Sequence, residues 1–171
     1  MRVRDYRRSD LERLCEIDRR CFPPALVYTA GDMREILRPG AMALVAENDR
    51  GEAVGFAVAL GGHIVTVDVL PRYRRRGIAG ELLLDLERRL GSRGRRVVRL
   101  ETAVGNRAAQ ALYLSLGYTC LGSLPRYYPD GQDALRMEKT LDVRPKVPPR
   151  DRRRGRRPPR TQAVARPVLH A

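Results

Sequence analysis

The chain has 171 residues, of which 43% are hydrophobic, and this is the size and composition of one ordinary folded domain rather than two. Its 34 Lys and Arg outnumber its 20 Asp and Glu, so the net charge is +14, and all but Lys139 and Lys146 of the basic residues are arginine. No stretch approaches the roughly 20 apolar residues that a membrane span requires, and the first residues lack the apolar core of a secretory signal. We therefore expect a soluble, cytoplasmic protein.

The cysteines and histidines exclude two further classes. Cys15, Cys21 and Cys120 are odd in number and show no Cys-x-x-Cys spacing, and only His63 and His170 accompany them. This set predicts neither a disulfide framework nor a zinc site, so we expect reduced structural thiols and no metal. The chain also lacks the Ser/His/Asp or Cys/His set on which most hydrolases depend.

Alternation, helical spacing and turn residues predict the elements of the first half of the chain. These are a strand over residues 2–6, a helix from 9 to about 22, a short helix over 30–37, and a hairpin of strands 41–46 and 53–60. The second half begins with a valine-rich strand over residues 63–70. It continues with an amphipathic helix over 78–90 ended by Gly91 and Gly94, a strand over 97–102, a helix over 106–117, and an antiparallel pair of strands, 118–124 and 134–141.

The pattern disappears after residue 141. Residues 142–171 hold ten Lys or Arg, two Asp and six of the 12 prolines, which gives this segment a charge of +8 and leaves +6 on residues 1–141. So few apolar residues cannot offset the entropy lost on ordering. We expect a folded domain over residues 1–141 and a disordered, Arg/Pro-rich basic tail over residues 142–171.

The turn between the valine-rich strand and the amphipathic helix carries the clearest chemistry. It reads Pro71-Arg-Tyr-Arg-Arg-Arg-Gly-Ile-Ala-Gly80. Its small residues let backbone N–H groups face a ligand, and the helix N-terminus adds partial positive charge, so the turn predicts an anion cradle suited to a pyrophosphate. Arg74, Arg75 and Arg76 would strengthen the attraction, although an arginine-rich turn is also compatible with a solvated loop.

Three stretches together resemble a known family. Residues 74–79 fit the pattern Arg/Gln-x-x-Gly-x-Gly/Ala, are preceded by Val-x-Pro, and resemble the acetyl-CoA signature of the GNAT acetyltransferase superfamily. Leu100-Glu101 with residues 106–118, and residues 126–135, are similar to ribosomal-protein-alanine N-acetyltransferases and related peptide Nα-acetyltransferases. The resemblance covers residues 1–141. It implies an α/β GNAT fold, with a mixed, mostly antiparallel sheet splayed at its middle strands and helices on both faces.

The resemblance also implies site residues. Acetyl-CoA, the co-substrate, would lie along the strand backbone at Val67, Asp68 and Val69, with its pyrophosphate on Arg74, Arg75, Arg76, Gly77, Ile78, Ala79 and Gly80 and a further contact from Asn106. Glu101 would be the general base, and Tyr113, twelve residues later, would protonate the leaving thiolate. Phe22-Pro23 and Tyr127-Tyr128 resemble aromatic walls for an acceptor peptide. Taken singly, Glu101 also fits a solvated strand end, Asn106 a helix cap, and the aromatic residues core packing.

The chemistry of the acceptor favours a protein N-terminus. A carboxylate with a pKa of about 4.3 is a weak base, and an α-amine (pKa about 8) is easier to deprotonate than a lysine (about 10.4) by about 3.3 kcal/mol. We therefore predict transfer of acetyl to the N-terminal α-amine of a protein, with ribosomal proteins as the substrates that the resemblance indicates. Two alternatives remain open, a GNAT enzyme acting on lysine or small amines and a non-catalytic protein of this fold associated with the ribosome or RNA. The basic tail could contact ribosomal RNA through its phosphates or have no partner.

Overall fold

The computed structural model of the protein describes residues 1–142. The strands of this part of the chain are β1 (Arg2–Asp5), β2 (Ala41–Glu47), β3 (Ala53–Leu60), β4 (His63–Val69), β5 (Val97–Ala103), β6 (Thr119–Leu124) and β7 (Ala134–Thr140). Its α-helices are α1 (Leu11–Cys21), α2 (Ala30–Ile36), α3 (Ile78–Ser92) and α4 (Arg107–Ser115). The predicted tail, and with it the boundary of the folded domain, lies outside the described residues.

The strands form one open, mixed sheet, which confirms the predicted fold class. Their order is β1-β2-β3-β4-β5-β7-β6, and each neighbouring pair except β4 and β5 is antiparallel. The parallel strands β4 and β5 are paired at one position of the described chain, where His63 lies opposite Arg99. Beyond that pair the two strands separate, so the sheet is splayed at its middle.

Helices cover both faces of this sheet. Successive residues of β1 point to opposite faces: Arg4 contacts Asp10 just before α1, and Asp5 contacts Arg89 of α3. Helices α1 and α3 therefore lie on opposite sides. Strand β3 is buried along almost its whole length, as a central strand covered on both faces should be.

The predicted elements match the structure except at their ends. One difference is in α3, which continues through Gly91 to Ser92. The helix ends instead before Gly94, whose φ of +80° is the left-handed conformation that glycine adopts without strain. Gly91 needs no such conformation, and the carbonyl of Leu90 still accepts hydrogen bonds from Arg93 and Arg95.

The cysteines are all free thiols, with Cys15 and Cys21 buried and Cys120 exposed. Among residues 1–142, no group of three or more His, Cys, Asp or Glu side chains is placed to hold a metal ion. Within the same residues, none of the helices has the length and apolar character needed to cross a membrane.

Candidate active site

The gap between β4 and β5 exposes strand backbone. Leu70 donates its N–H to the Val54 carbonyl of β3, and backbone groups in an antiparallel ladder alternate in direction. The backbone N–H and carbonyl groups of Asp68, which lies opposite Phe56, therefore face β3. Those of Val67 and Val69 face the gap. The backbone of Val67 and the N–H of Val69 can thus pair with a ligand that lies in the gap like an added strand, whereas the Val69 carbonyl already accepts from Arg74 Nε and Cys21 Sγ.

The turn after β4 has the geometry of an anion cradle. Arg75 and Gly77 both have positive φ, 60° and 80°, and Gly77 precedes α3 with no side chain capping the helix. The first helical bond of α3 runs from the Glu81 N–H to the Gly77 carbonyl, at 3.0 Å. The N–H groups of Ile78, Ala79 and Gly80 therefore have no partner within the helix, and they point outward together with the positive end of its dipole.

A cavity of about 400 Å³ lies between this turn and α4. Its walls are Val69, Tyr73, Arg74, Arg75, Gly77, Ile78, Ala79, Gly80, Ala108, Ala111, Leu112 and Ser115. The lining is mostly apolar, with the unpaired N–H groups at one side. This combination fits acetyl-CoA, because the pantetheine arm needs an apolar channel with strand backbone beside it and the pyrophosphate needs N–H donors.

The three arginines of the turn have different environments. The Nε atom of Arg74 donates to the Val69 carbonyl at 3.1 Å, and its Nη2 atom is buried, so its guanidinium faces the interior rather than the solvent. Arg76 is exposed and lies over the ring of Tyr73, at 5.4 Å, with Arg72 also 5.0 Å from the same ring. Arg75 is exposed. Arg75 and Arg76 are thus the arginines of the predicted triplet whose charge faces outward.

Glu101 is the centre of a second group of polar side chains. The residue is 6% exposed, and its carboxylate contacts His63 Nε2 at 2.6 Å and Arg136 Nε at 3.1 Å. The Tyr127 hydroxyl lies 3.5 Å from the same carboxylate. Burial raises the pKa of Glu101, but the hydrogen bond and charge of His63, and then those of Arg136, outweigh burial and hold the pKa below its ordinary value. Glu101 is therefore ionised at neutral pH.

Tyr113 is fully buried in α4, with its ring edge-on to Tyr118 at 5.6 Å between centroids. Its hydroxyl has no hydrogen-bond partner among the described residues. Burial, followed by the nearby Tyr128 and Asp68, holds the pKa of Tyr113 well above its ordinary value. The residue is thus a core aromatic and also a protonated phenol with an unused donor.

The remaining predicted residues are distributed between the site and the core. Tyr127 and Tyr128 pack edge to face with 5.1 Å between ring centroids, and the Tyr127 hydroxyl contacts the Glu101 carboxylate. Asn106 caps α4 by accepting the N–H of Ala109 at 3.1 Å. Phe22 is buried in the hydrophobic core, and the adjacent Pro23 is exposed.

Two residues of the site were not singled out from the sequence. By sequence alone His63 is of interest only as a metal ligand, and nothing in the local pattern marks Arg136. Both contact Glu101 across strand neighbours, His63 from β4 and Arg136 from β7, where it lies opposite Glu101. The sequence could have indicated only Arg136, because an antiparallel pairing of β5 with β7 places a residue of β7 beside Glu101.

Comparison with known proteins agrees with this geometry. The family model described as "Acetyltransferase (GNAT) family" matches residues 11–118, more than half of the chain. The N-alpha-acetyltransferase of Sulfurisphaera tokodaii is 31% identical over 157 residues, which cover 82% of this chain and 93% of that protein.

Solved structures share the fold. The ribosomal-protein-S18-alanine N-acetyltransferase from Escherichia coli superposes with a TM-score of 0.76 and 26% identity, covering 85% of this chain and 96% of that one. An aminoglycoside 6'-N-acetyltransferase complexed with coenzyme A superposes with a TM-score of 0.72 and 21% identity, covering 85% and 100%. At that identity the likeness concerns the fold alone. The family match and the archaeal relative, together with the cavity after β4, establish that the chain belongs to the GNAT family and is an acetyl-CoA-dependent N-acetyltransferase.

Proposed function

We propose that this enzyme transfers the acetyl group of acetyl-CoA to the N-terminal α-amine of a protein, with a ribosomal protein as the acceptor. The observation that carries the proposal is the ionised Glu101 carboxylate, which is buried between His63 and Arg136 and faces the Tyr127 hydroxyl. A buried anion beside aromatic side chains would attract the ammonium group of a peptide end and would help to remove its proton.

The co-substrate would occupy the cavity after β4. The backbone of Val67 and the N–H of Val69 would pair with the pantetheine arm, and the N–H groups from Gly77 to Gly80 would hold the pyrophosphate. Arg75 and Arg76 would add charge from the solvent side. Arg74, whose Nε bonds to the Val69 carbonyl, would act by fixing the turn rather than by contacting phosphate.

The acceptor amine must lose a proton before its nitrogen can attack the thioester carbon. To accept a proton, the imidazole of His63 must be neutral, with the hydrogen of its bond to Glu101 on Nε2 and the lone pair on Nδ1. His63 and Glu101 would then take the amine proton as a pair, through water. Glu101 fixes the imidazole and stabilises the charge that forms on it.

The C–S bond breaks as the new C–N bond forms, and the departing thiolate needs a proton. The buried Tyr113 hydroxyl, whose hydrogen has no other acceptor among the described residues, would supply it. A backbone N–H of β4 facing the gap would stabilise the negative charge on the thioester oxygen.

The acceptor class rests on two supports. The relatives at 31% and 26% identity carry the names N-alpha-acetyltransferase and ribosomal-protein-S18-alanine N-acetyltransferase. In addition, a single carboxylate with a lowered pKa suits an amine that loses its proton readily, as an α-amine does. Lysine or a small-molecule amine is the second candidate, and the fold is shared with an aminoglycoside acetyltransferase.

The test is to incubate the protein with acetyl-CoA and three sets of acceptors, and to read the products by mass. One set contains peptides with free N-termini beginning with different residues, including the N-termini of ribosomal proteins. The second contains the same peptides with a blocked N-terminus and one internal lysine, and the third contains polyamines and aminoglycosides. We expect acetylation of the first set. Acetylation confined to the second or third set would contradict the proposal.

A further inference from the structure

The end of the sheet opposite the acetyl-CoA gap gathers several chain segments. Parallel β4 and β5 both begin there, β3 ends there, and β2 begins there with Ala41 opposite Leu60. The backbone N–H of Leu141, just after β7, donates to the Arg96 carbonyl at 2.7 Å. Helix α3 also ends on this side, where Arg89 contacts Asp5 at the end of β1. We call this end of the molecule the basal end.

The loop from α3 to β5 brings unpaired positive charge to the basal end. All residues of Ser92-Arg-Gly-Arg-Arg96 are exposed. Arg93, Arg95 and Arg96 take part in no ion pair with another residue of the described chain. The arginines around them differ, because Arg88 and Arg89 contact Asp85, and Arg99 contacts Glu138.

A second group of arginines lines a cavity of about 540 Å³ at the basal end, between β1, α1 and α2. Its walls are Tyr6, Arg8, Leu11, Arg34, Leu37, Arg38 and Pro39. Arg38 contacts Glu35, whereas Arg8 and Arg34 have no carboxylate partner among the described residues. Two acids of the neighbouring segments form no ion pair within residues 1–142. They are Asp142, which is exposed shortly after β7, and Glu12 in the first turn of α1.

The sequence extends this charge. The chain leaves the described fold beside Arg96, and residues 142–171 hold ten Lys or Arg against two Asp. The most basic part of the sequence therefore continues from the end of the fold that already carries unpaired arginines.

We infer that the basal end binds the phosphodiester backbone of a nucleic acid. Guanidinium groups match phosphate oxygens in a bidentate way, and the charge here is almost entirely arginine. A membrane surface fits less well, because the α3–β5 loop between Leu90 and Val97 offers no apolar side chain to insert between lipids. No aromatic residue occurs in this loop, so the contact would not distinguish between bases.

This inference is independent of the proposed acceptor. The basal end and the acetyl-CoA gap lie at opposite ends of β4 and β5, so a nucleic acid and acetyl-CoA could be bound together. An acetyltransferase held in this way would meet N-termini near a nucleic-acid surface.

The experiment measures the affinity of the full chain for fluorescein-labelled oligo(U) and oligo(dT) of 20 nucleotides, by anisotropy, between 50 and 300 mM salt. Each phosphate contact contributes about 0.7 to the slope of log K against log salt for a single strand. The variant R93Q/R95Q/R96Q should reduce this slope by about 2. The variant R8Q/R34Q, at the second group of arginines, should reduce it by about 1.4.

The control variant R2Q/R19Q/R50Q removes the same charge from exposed arginines away from the basal end, and it should leave the slope unchanged. Acetylation of a free peptide should be normal in all three variants, which shows that they fold. Equal loss in the control and the loop variant, or no loss in either, would overturn the inference. Binding to vesicles with 30% phosphatidylserine without binding to either oligonucleotide would also overturn it. A preference between oligo(U) and oligo(dT) identifies the nucleic acid.

Discussion

The Glu101 carboxylate has two neighbours that hold it as an anion, one on each oxygen. His63 contacts Oε2 and Arg136 contacts Oε1, and both offset the cost of burying the charge. An anion held in this way is a weak base by itself. The imidazole beside it is therefore as important to the proposed proton transfer as the carboxylate.

Replacing Glu101 by Gln should lower the rate of acetyl transfer by about 100-fold, because the amide cannot stabilise charge on His63. The affinity for coenzyme A should change by less than about twofold, since Glu101 does not line the cofactor cavity. Steady-state kinetics and calorimetry measure the two quantities. Glu138→Gln, which removes the β7 carboxylate paired with Arg99 at 2.6 Å, is the matched control and should be as active as the unmodified enzyme. A nearly normal rate in Glu101→Gln would remove Glu101 from the mechanism.

Replacing Tyr113 by Phe tests the proton donor. The ring keeps its packing, and a buried hydroxyl without a partner is removed, so stability should be unchanged or slightly higher. Acetyl transfer should fall by about 10- to 100-fold. The loss should be smaller with a thioester of a more acidic thiol, because that thiol can leave as the thiolate without being protonated. Tyr118→Phe removes another buried hydroxyl, beside Glu87, and serves as the control. An equal loss in both variants would indicate a packing effect instead.

At the scale of elements, α3 begins at the turn that we propose as the pyrophosphate site. Gly77 and Gly94 flank the helix, and both have a φ of +80° with open space where a side chain would start. An alanine at either position would cost about 1 kcal/mol of folding free energy, because left-handed backbone is strained for residues with a Cβ atom. The two glycines have the same backbone conformation, but Gly77 precedes the N-terminus of α3 and Gly94 follows its C-terminus.

Gly77→Ala and Gly94→Ala should therefore destabilise the protein by similar amounts in urea unfolding. Coenzyme A affinity should fall several-fold in Gly77→Ala alone, because relief of the strain moves the N–H groups that would hold the pyrophosphate. Equal cofactor affinity in the two variants would show that this turn is not the phosphate site.

The stability of the whole molecule depends on a carboxyl group buried beneath the site. Asp68 accepts the Thr66 hydroxyl at 2.8 Å and is 1% exposed. Burial, followed by the charge of Asp18, holds the pKa of Asp68 well above its ordinary value, and the Thr66 hydrogen bond and Arg74 only partly oppose this shift. The folded protein therefore keeps a proton on Asp68 that the unfolded chain releases above a pH of about 3.9.

The free energy of unfolding should consequently fall as the pH rises from about 4 through the folded pKa of Asp68, by up to about 1.4 kcal/mol per pH unit. Asp68→Asn carries no such proton, so its stability relative to the unmodified protein should increase with pH over the same range. Urea unfolding of both proteins at several pH values measures the difference. Parallel curves would contradict a raised pKa.

Much of this architecture follows from local sequence. The spacing of apolar residues defines α1, α3 and α4, the Glu47–Gly51 turn joins β2 to β3, and the glycine-containing turn after β4 predicts the cradle before α3. These features depend on neighbouring residues, whose relative positions the backbone geometry of helices, strands and turns already restricts.

The sequence by itself thus determined the elements and the family, and it predicts the place where phosphate would bind. Only the tertiary structure decided which side chains share an environment: His63 meets Glu101 from 38 positions away, and Arg74 turns inward. Both outcomes depend on strand register and on the space left by packing, which involve residues distant in the chain. Spacing along one segment carries no information about them.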